Sequence, residues 1–180
     1  KAKYVRQKFE FDKILKKNGM GVSISGGSPL GVAGSIVGIE LLMRWMDKEP
    51  ELVHNLLRMS TDYLLDYADW YIEEFGADNC SAFSTYPNDC HALISPKMFE
   101  KYSLPYVKEI HEKFIDKGIK KWLIHLCGDH TKNLKHWKDE IKLQPRSTIT
   151  IGHEMDIEHV AKVFGEDHII GGNINTSLLQ

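Results

Sequence analysis

The sequence predicts an α/β chain in which parallel strands are joined by crossover helices. Three observations carry this. Short apolar runs of strand length alternate with longer segments whose apolar residues recur every three to four positions. The junctions between them are rich in Gly, Pro, Ser and Asn. The order is one helix, then strand and helix alternating four times, then a fifth strand, with no internal repeat, low-complexity tract or linker. Residues 1–180 therefore read as a single domain.

Each element has its own justification. From Lys1 to Lys17, charges interleave with Tyr4, Val5, Phe9, Ile14 and Leu15 at helical spacing, and Asn18-Gly19 closes the helix. Gly21 to Ser25 is a first strand. Gly26-Gly27-Ser28-Pro29-Leu30-Gly31 follows as a glycine-rich turn. It fits neither the dinucleotide fingerprint nor a P-loop, so the glycines are read as serving a tight strand-to-helix turn. Ser35 to Met46 is helical. Pro50 opens a long helix with Leu52, Val53, Leu56, Leu57, Leu64, Ala68, Tyr71 and Phe75 in register, which Gly76 closes. His54, in its first turn, reads as a surface residue. Ala77 to Phe83 is the second strand, leading into a polar loop from Ser84 to His91.

Ser95 and Pro96 cap and start the next helix, which Pro105 interrupts before it runs on to Gly118. Lys121 to Cys127 is the third strand, and Thr131 to Ile141 the helix after it. Ser147 to Ile151 is the fourth strand, Asp156 to Phe164 a short helix, and His168 to Gly172 the fifth strand, running into Asn173-Ile174-Asn175. Two architectures share this order. A five-stranded open sheet would be complete at this length. A closed barrel needs eight strands and typically about 250 residues, so three strands would be lacking.

Composition narrows the function. The 180 residues are 42% hydrophobic and 27% charged with a net charge of −2, which suits one globular core. There is no clustered basic excess of the kind nucleic acid requires. No apolar run approaches the roughly 20 residues of a membrane span, and the charged N-terminal stretch has no apolar signal core. Three cysteines without framework spacing argue against a disulfide scaffold, so a reducing cytoplasm is expected.

The chemistry concentrates at the end of the third strand, His125-Leu126-Cys127-Gly128. Strand residues two apart share a face, so an imidazole and a thiol emerge together. They make half of a tetrahedral zinc site, at the strand end where α/β proteins place their chemistry. Cys90 and His91, on the loop after the neighbouring strand, are within conceivable reach. His153 and Glu154 end the next strand; Glu154 is taken as the inward one of the pair, a ligand or general base. Asn173 is a second catalytic candidate. Ser84, Tyr86 and Asn175 are candidates for holding a cofactor or substrate. Asp129 and His130 read as capping or outer-shell residues.

Beyond single motifs, the chain resembles the uroporphyrinogen decarboxylase superfamily from about Ser23 to Leu179. The landmarks are Gly27-Ser28-Pro29-Leu30 followed by Gly38, Pro50-Glu51, Glu74-Phe75-Gly76-Ala77-Asp78, Leu93-Ile94-Ser95-Pro96-Lys97-Met98-Phe99, Leu104-Pro105-Tyr106, His125-Leu126-Cys127-Gly128 and Gly171-Gly172-Asn173-Ile174. The resemblance implies a (β/α)8 barrel, of which this chain is a central to C-terminal portion with about five strands. The remaining units are expected before Lys1 and after Gln180. His-x-Cys-Gly is similar to the zinc-dependent corrinoid methyltransferase branch. That implies zinc on His125 and Cys127, a corrinoid (methylcobalamin) carried by a partner protein, and a small-molecule methyl donor or acceptor such as a thiol. The branch's third ligand, a later Cys, has no counterpart in this sequence. The alternative is decarboxylation of a tetrapyrrole such as uroporphyrinogen III without metal. Open barrel edges lead us to expect self-association into a homo-oligomer.

Overall fold

The computed structural model describes residues 2–179. Five strands form one sheet in which each pairs, in parallel, with its neighbour in the chain: β1 (Val22–Ser25), β2 (Cys80–Thr85), β3 (Lys121–Leu126), β4 (Thr148–Ile151) and β5 (Ile169–Gly171). The connections are helical: α2 (Pro29–Val37), α3 (Ile39–Lys48) and α4 (Pro50–Phe75) after β1; then α5 (Pro96–Met98) and α6 (Leu104–Asp116), α7 (Leu134–Asp139) and α8 (Ile157–Phe164). An N-terminal helix, α1 (Ala2–Lys17), precedes β1. This strand order is that of a partial (β/α)8 barrel.

The alternation within each strand sets the two faces of the sheet. Val22 and Ile24, Cys80 and Ala82, Trp122, Ile124 and Leu126, Ile149 and Ile151 are buried against the helices. Facing them are Leu57, Leu64, Tyr71 and Phe75 of α4 and Val107, Ile110 and Phe114 of α6. Burying one such side chain is worth about 1.5–3 kcal/mol, so this helix-side layer holds the sheet. The opposite, concave face carries Ser25, Phe83, Thr85, Leu123, His125 and Thr150, which are half-buried or exposed.

A buried polar chain runs through the helix-side layer. Tyr86 donates to His111 Nε2 (2.9 Å), His111 Nδ1 donates to the Lys142 carbonyl (3.1 Å), and the imidazole stacks on Trp122 with centroids 4.2 Å apart. Both ring nitrogens are satisfied by a neutral imidazole. Burial holds the His111 pKa down to about 3.

The structure corrects several sequence expectations. The helix expected from Ser35 to Met46 is two helices that meet at Gly38, whose φ of 88° no L side chain adopts comfortably. The first of them starts earlier, at Pro29, with the Ser28 hydroxyl accepting from Gly31 N. The second strand is shifted along the chain: Ala77–Asn79 is a 3-10 turn and the strand runs to Thr85. A π-turn, Phe99–Ser103, precedes Pro105 where an interruption at the proline was expected. His54 is half-buried, bonded through Nδ1 to Tyr106 Oη (2.8 Å) and stacked on Tyr102. Among the described residues no single helix is long and apolar enough to cross a membrane.

Candidate active site

His125 is the last concave-face residue of β3, and Cys127 follows the strand at the same parity. Thr150, its register partner on β4, fixes the imidazole. The Thr150 hydroxyl points toward the Ile124 carbonyl (3.3 Å), so it accepts from His125 Nδ1 (2.9 Å). That bond selects the Nδ1–H tautomer and leaves Nε2 with its lone pair, without a hydrogen bond among the described residues. A second bond that fixes the tautomer in this way is the usual support for a metal-ligating histidine. Thr85, the register partner on β2, stands on the other side. Thr85 also lines a cavity of about 820 Å³ with Ser25, Gly27, Ser28, Pro87 and Asn88, with Met59 and Tyr63 among its walls.

Two glycines open space around Cys127. A Cβ on Gly128 would lie 2.9 Å from Cys90 Sγ, and a Cβ on Gly152 would collide with the Glu154 carboxylate and lie 3.0 Å from Gly128 N. Cys90 thus packs beside Gly128, and Glu154 beside Gly152, which itself borders Gly128. The Cys127 thiol is pushed up in pKa by burial first, then by the charges of Glu154 and Cys90. Glu154 is exposed and accompanied by His153, whose Nδ1 lies 3.5 Å from Glu154 Oε2. Among the described residues no three His, Cys, Asp or Glu side chains are already gathered in metal-binding geometry.

The loop after β2 is tied to the loop after β3 along its length. Tyr86 N donates to the His125 carbonyl (3.1 Å), and His91 N to the Asp129 carbonyl (2.8 Å). The fully buried His130 donates from Nε2 to the carbonyls of both Tyr86 (3.0 Å) and Cys127 (3.2 Å). Asn133 Nδ2 reaches the Asp89 carbonyl (3.4 Å). Burial keeps His130 neutral, with its pKa down at about 4. Both ring nitrogens of His91 are buried without a hydrogen-bond partner. Asp129 Oδ1 accepts from Thr131 N (2.8 Å), closing the turn that leads into the next helix.

The other sequence candidates lie elsewhere. Ser84 is fully buried on the helix side, donating to the Gly26 carbonyl (2.6 Å) and accepting from Trp122 Nε1 (2.8 Å). Tyr86 is buried with it, in the chain to His111. Both were expected to hold a cofactor; they share the parity of Cys80 and Ala82, which face the helices, and Thr85 takes the concave position. Asn173 donates to the Met155 carbonyl and so ties β5 to the loop after β4. Asn175 accepts from Ser177 N (3.0 Å) and Ser177 Oγ (2.7 Å), forming a turn. Thr85 and Thr150 were missed, although the alternation Thr148-Ile149-Thr150-Ile151 held the signal for the second. Replacing Ser84 with Ala leaves the Trp122 N–H and the Gly26 carbonyl unpaired. We expect a loss of about 1–3 kcal/mol in urea unfolding with no change in metal uptake.

A family model for uroporphyrinogen decarboxylase (URO-D) matches residues 9–180. The chain is 29% identical to a methylated-thiol–coenzyme M methyltransferase of Methanosarcina mazei over 111 residues, 62% of this chain and 28% of that protein. It is 30% identical to a methylcobamide:CoM methyltransferase of Methanosarcina acetivorans over 119 residues, 60% of this chain and 33% of that protein. The solved structure of a methyltransferase from Methanosarcina mazei superposes with a TM-score of 0.68 at 22% identity, covering 91% of this chain and 46% of that one. The chain spans less than half the length of each of these proteins.

Proposed function

The chain belongs to the uroporphyrinogen decarboxylase family, and from that membership we propose that it serves methyl transfer between a corrinoid on a partner protein and a small thiol, at a zinc site on His125 and Cys127. The observation that carries this reading is the Thr150–His125 bond, which leaves Nε2 bare on the face from which Cys127 emerges. The similarity to methyltransferases named for methylcobamide and methylated thiols supports the substrate classes.

The donors present suit zinc: an imidazole nitrogen, a thiol and a nearby carboxylate are its ordinary ligand types. Zinc, when bound, lowers the pKa of a sulfur ligand so that the thiolate persists near neutral pH. The residues of this chain do the rest. Thr150 holds the imidazole in one tautomer and one orientation. Glu154, beside Cys127, accepts the proton that the incoming thiol releases. The cavity bordered by Thr85 receives the body of the small molecule and aims its sulfur at the open side of the sheet, where a partner-borne corrinoid can approach. In such a transfer much of the barrier is lowered by alignment of the sulfur with the bond being broken.

The test is metal content. About one zinc per chain is expected, and none above background in Cys127→Ala. A protein that takes up no zinc yet binds a porphyrinogen would overturn the reading in favour of metal-free decarboxylation.

A further inference from the structure

We propose that the cavity bordered by Thr85 selects an uncharged small molecule, with a short polar end at Ser25, Thr85 and Asn88 and an apolar body against Ile36, Met59 and Tyr63. This rests on the reading above that the cavity receives the substrate. All six residues line the same space of about 820 Å³, and every residue around it is uncharged. Its polar side chains divide into committed and free. The Ser28 hydroxyl accepts from Gly31 N (3.0 Å) and turns to the Asp89 carboxyl. Ser35 donates to the Gly31 carbonyl (2.9 Å), and Ser60 to the Leu56 carbonyl (2.7 Å). The hydroxyls of Ser25 and Thr85 and the carboxamide of Asn88 make no hydrogen bond among the described residues. Thr85 pairs in register with His125, so its hydroxyl marks the end of the cavity beside the proposed zinc site.

The helical wall is apolar. Ile36 of α2 and Met59 and Tyr63 of α4 are 60%, 68% and 53% exposed and converge on one rim. An apolar body seated there takes their surface out of water. The thioether of Met59 and the ring of Tyr63 suit an aromatic group in particular. An anion meets the opposite conditions. The N-terminus of α2 borders the cavity, but Pro29 has no N–H, Leu30 is fully buried and the Gly31 N–H is taken by Ser28. The first turn therefore offers a ligand none of the donors that make a helix end an anion site. A carboxylate or sulfonate entering from water would shed hydration at this wall without gaining a charged partner, which is costly.

The probes are a matched pair of thioethers, benzylthioethanol and benzylthioacetate, which share an apolar body and differ in the charge of the polar end. Their binding to the intact chain, stripped of metal by a chelator, is measured by titration calorimetry. The alcohol should bind at least about tenfold more tightly than the acid. Ile36→Lys and Met59→Lys each place a cation on the rim at an exposed position that leaves the core untouched. Each should narrow the preference at least about threefold. Equal or tighter binding of the acid overturns the proposal, as does an unchanged preference in both lysine variants. Binding of neither compound overturns it too, and in all these cases zinc on His125 and Cys127 stands or falls by its own measurement. A preference for the alcohol in a chain that takes up no zinc overturns the metal reading and leaves the selectivity of the cavity in place.

Discussion

Replacing His130 with Ala should cost about 3–5 kcal/mol, a large share of the roughly 5–15 kcal/mol that stabilises an ordinary domain. The residue is fully buried, and its single Nε2–H reaches the carbonyls of Tyr86 and Cys127. Alanine removes that donor from two acceptors away from water. It also leaves a cavity the size of an imidazole. Urea unfolding of the variant, with the slope unchanged, measures the loss. Because the two carbonyls belong to different loops, the variant should also loosen the loop carrying Cys90 from the one carrying Cys127. Faster hydrogen exchange at His91 N, which bonds to the Asp129 carbonyl, reads that directly. A loss below about 1 kcal/mol, with exchange at His91 unaltered, would show that His130 does not join the loops.

Acid should unfold the protein through its buried histidines. His111 and His130 have folded-state pKa values down at about 3 and about 4, against 6.5 when unfolded. Their contribution to stability is complete above pH 6.5 and is lost as pH falls toward 4, because only the unfolded chain then takes up their protons. Asp89 acts in the opposite sense. Its buried carboxyl, relieved only in part by Ser103 and Ser28, is pushed up to about 6. Between about pH 4 and 6 the folded state therefore holds one proton that the unfolded chain has lost. From these three groups the unfolded chain binds two protons more and one fewer. Stability should drop by about 1.4 kcal/mol per pH unit over that window. Asp89→Asn removes the opposing proton, so the slope should roughly double. Unfolding free energies at a series of pH values measure it, and a flat profile between pH 6 and 4 would contradict the neutral state of both imidazoles.

The strands that buried one face completely were the most legible part of the chain. Trp122, Ile124 and Leu126 alternate with Lys121, Leu123 and His125, and this parity alone put His125 and Cys127 on one side. Where apolarity is continuous, periodicity has nothing to count. Ile36-Val37-Gly38-Ile39 reads as unbroken helix, and only the backbone shows that Gly38 turns the chain between two helices. The misplacement of Ser84 and Tyr86 has the same kind of origin. A small, mildly polar segment, Ser81-Ala82-Phe83-Ser84-Thr85, gives no clear end to a strand, and a shift of its ends changed which residues were counted as belonging to it. His130 could not be weighed from sequence at all. Its role depends on two carbonyls brought together by the parallel pairing of β2 with β3, and backbone acceptors leave no mark in a sequence.

The sheet's order has a consequence for how the molecule is made. Every strand pairs only with the strands immediately before and after it in the chain. Among the described residues each strand, with the helix that leads to it, docks on the rim left by the strand before it.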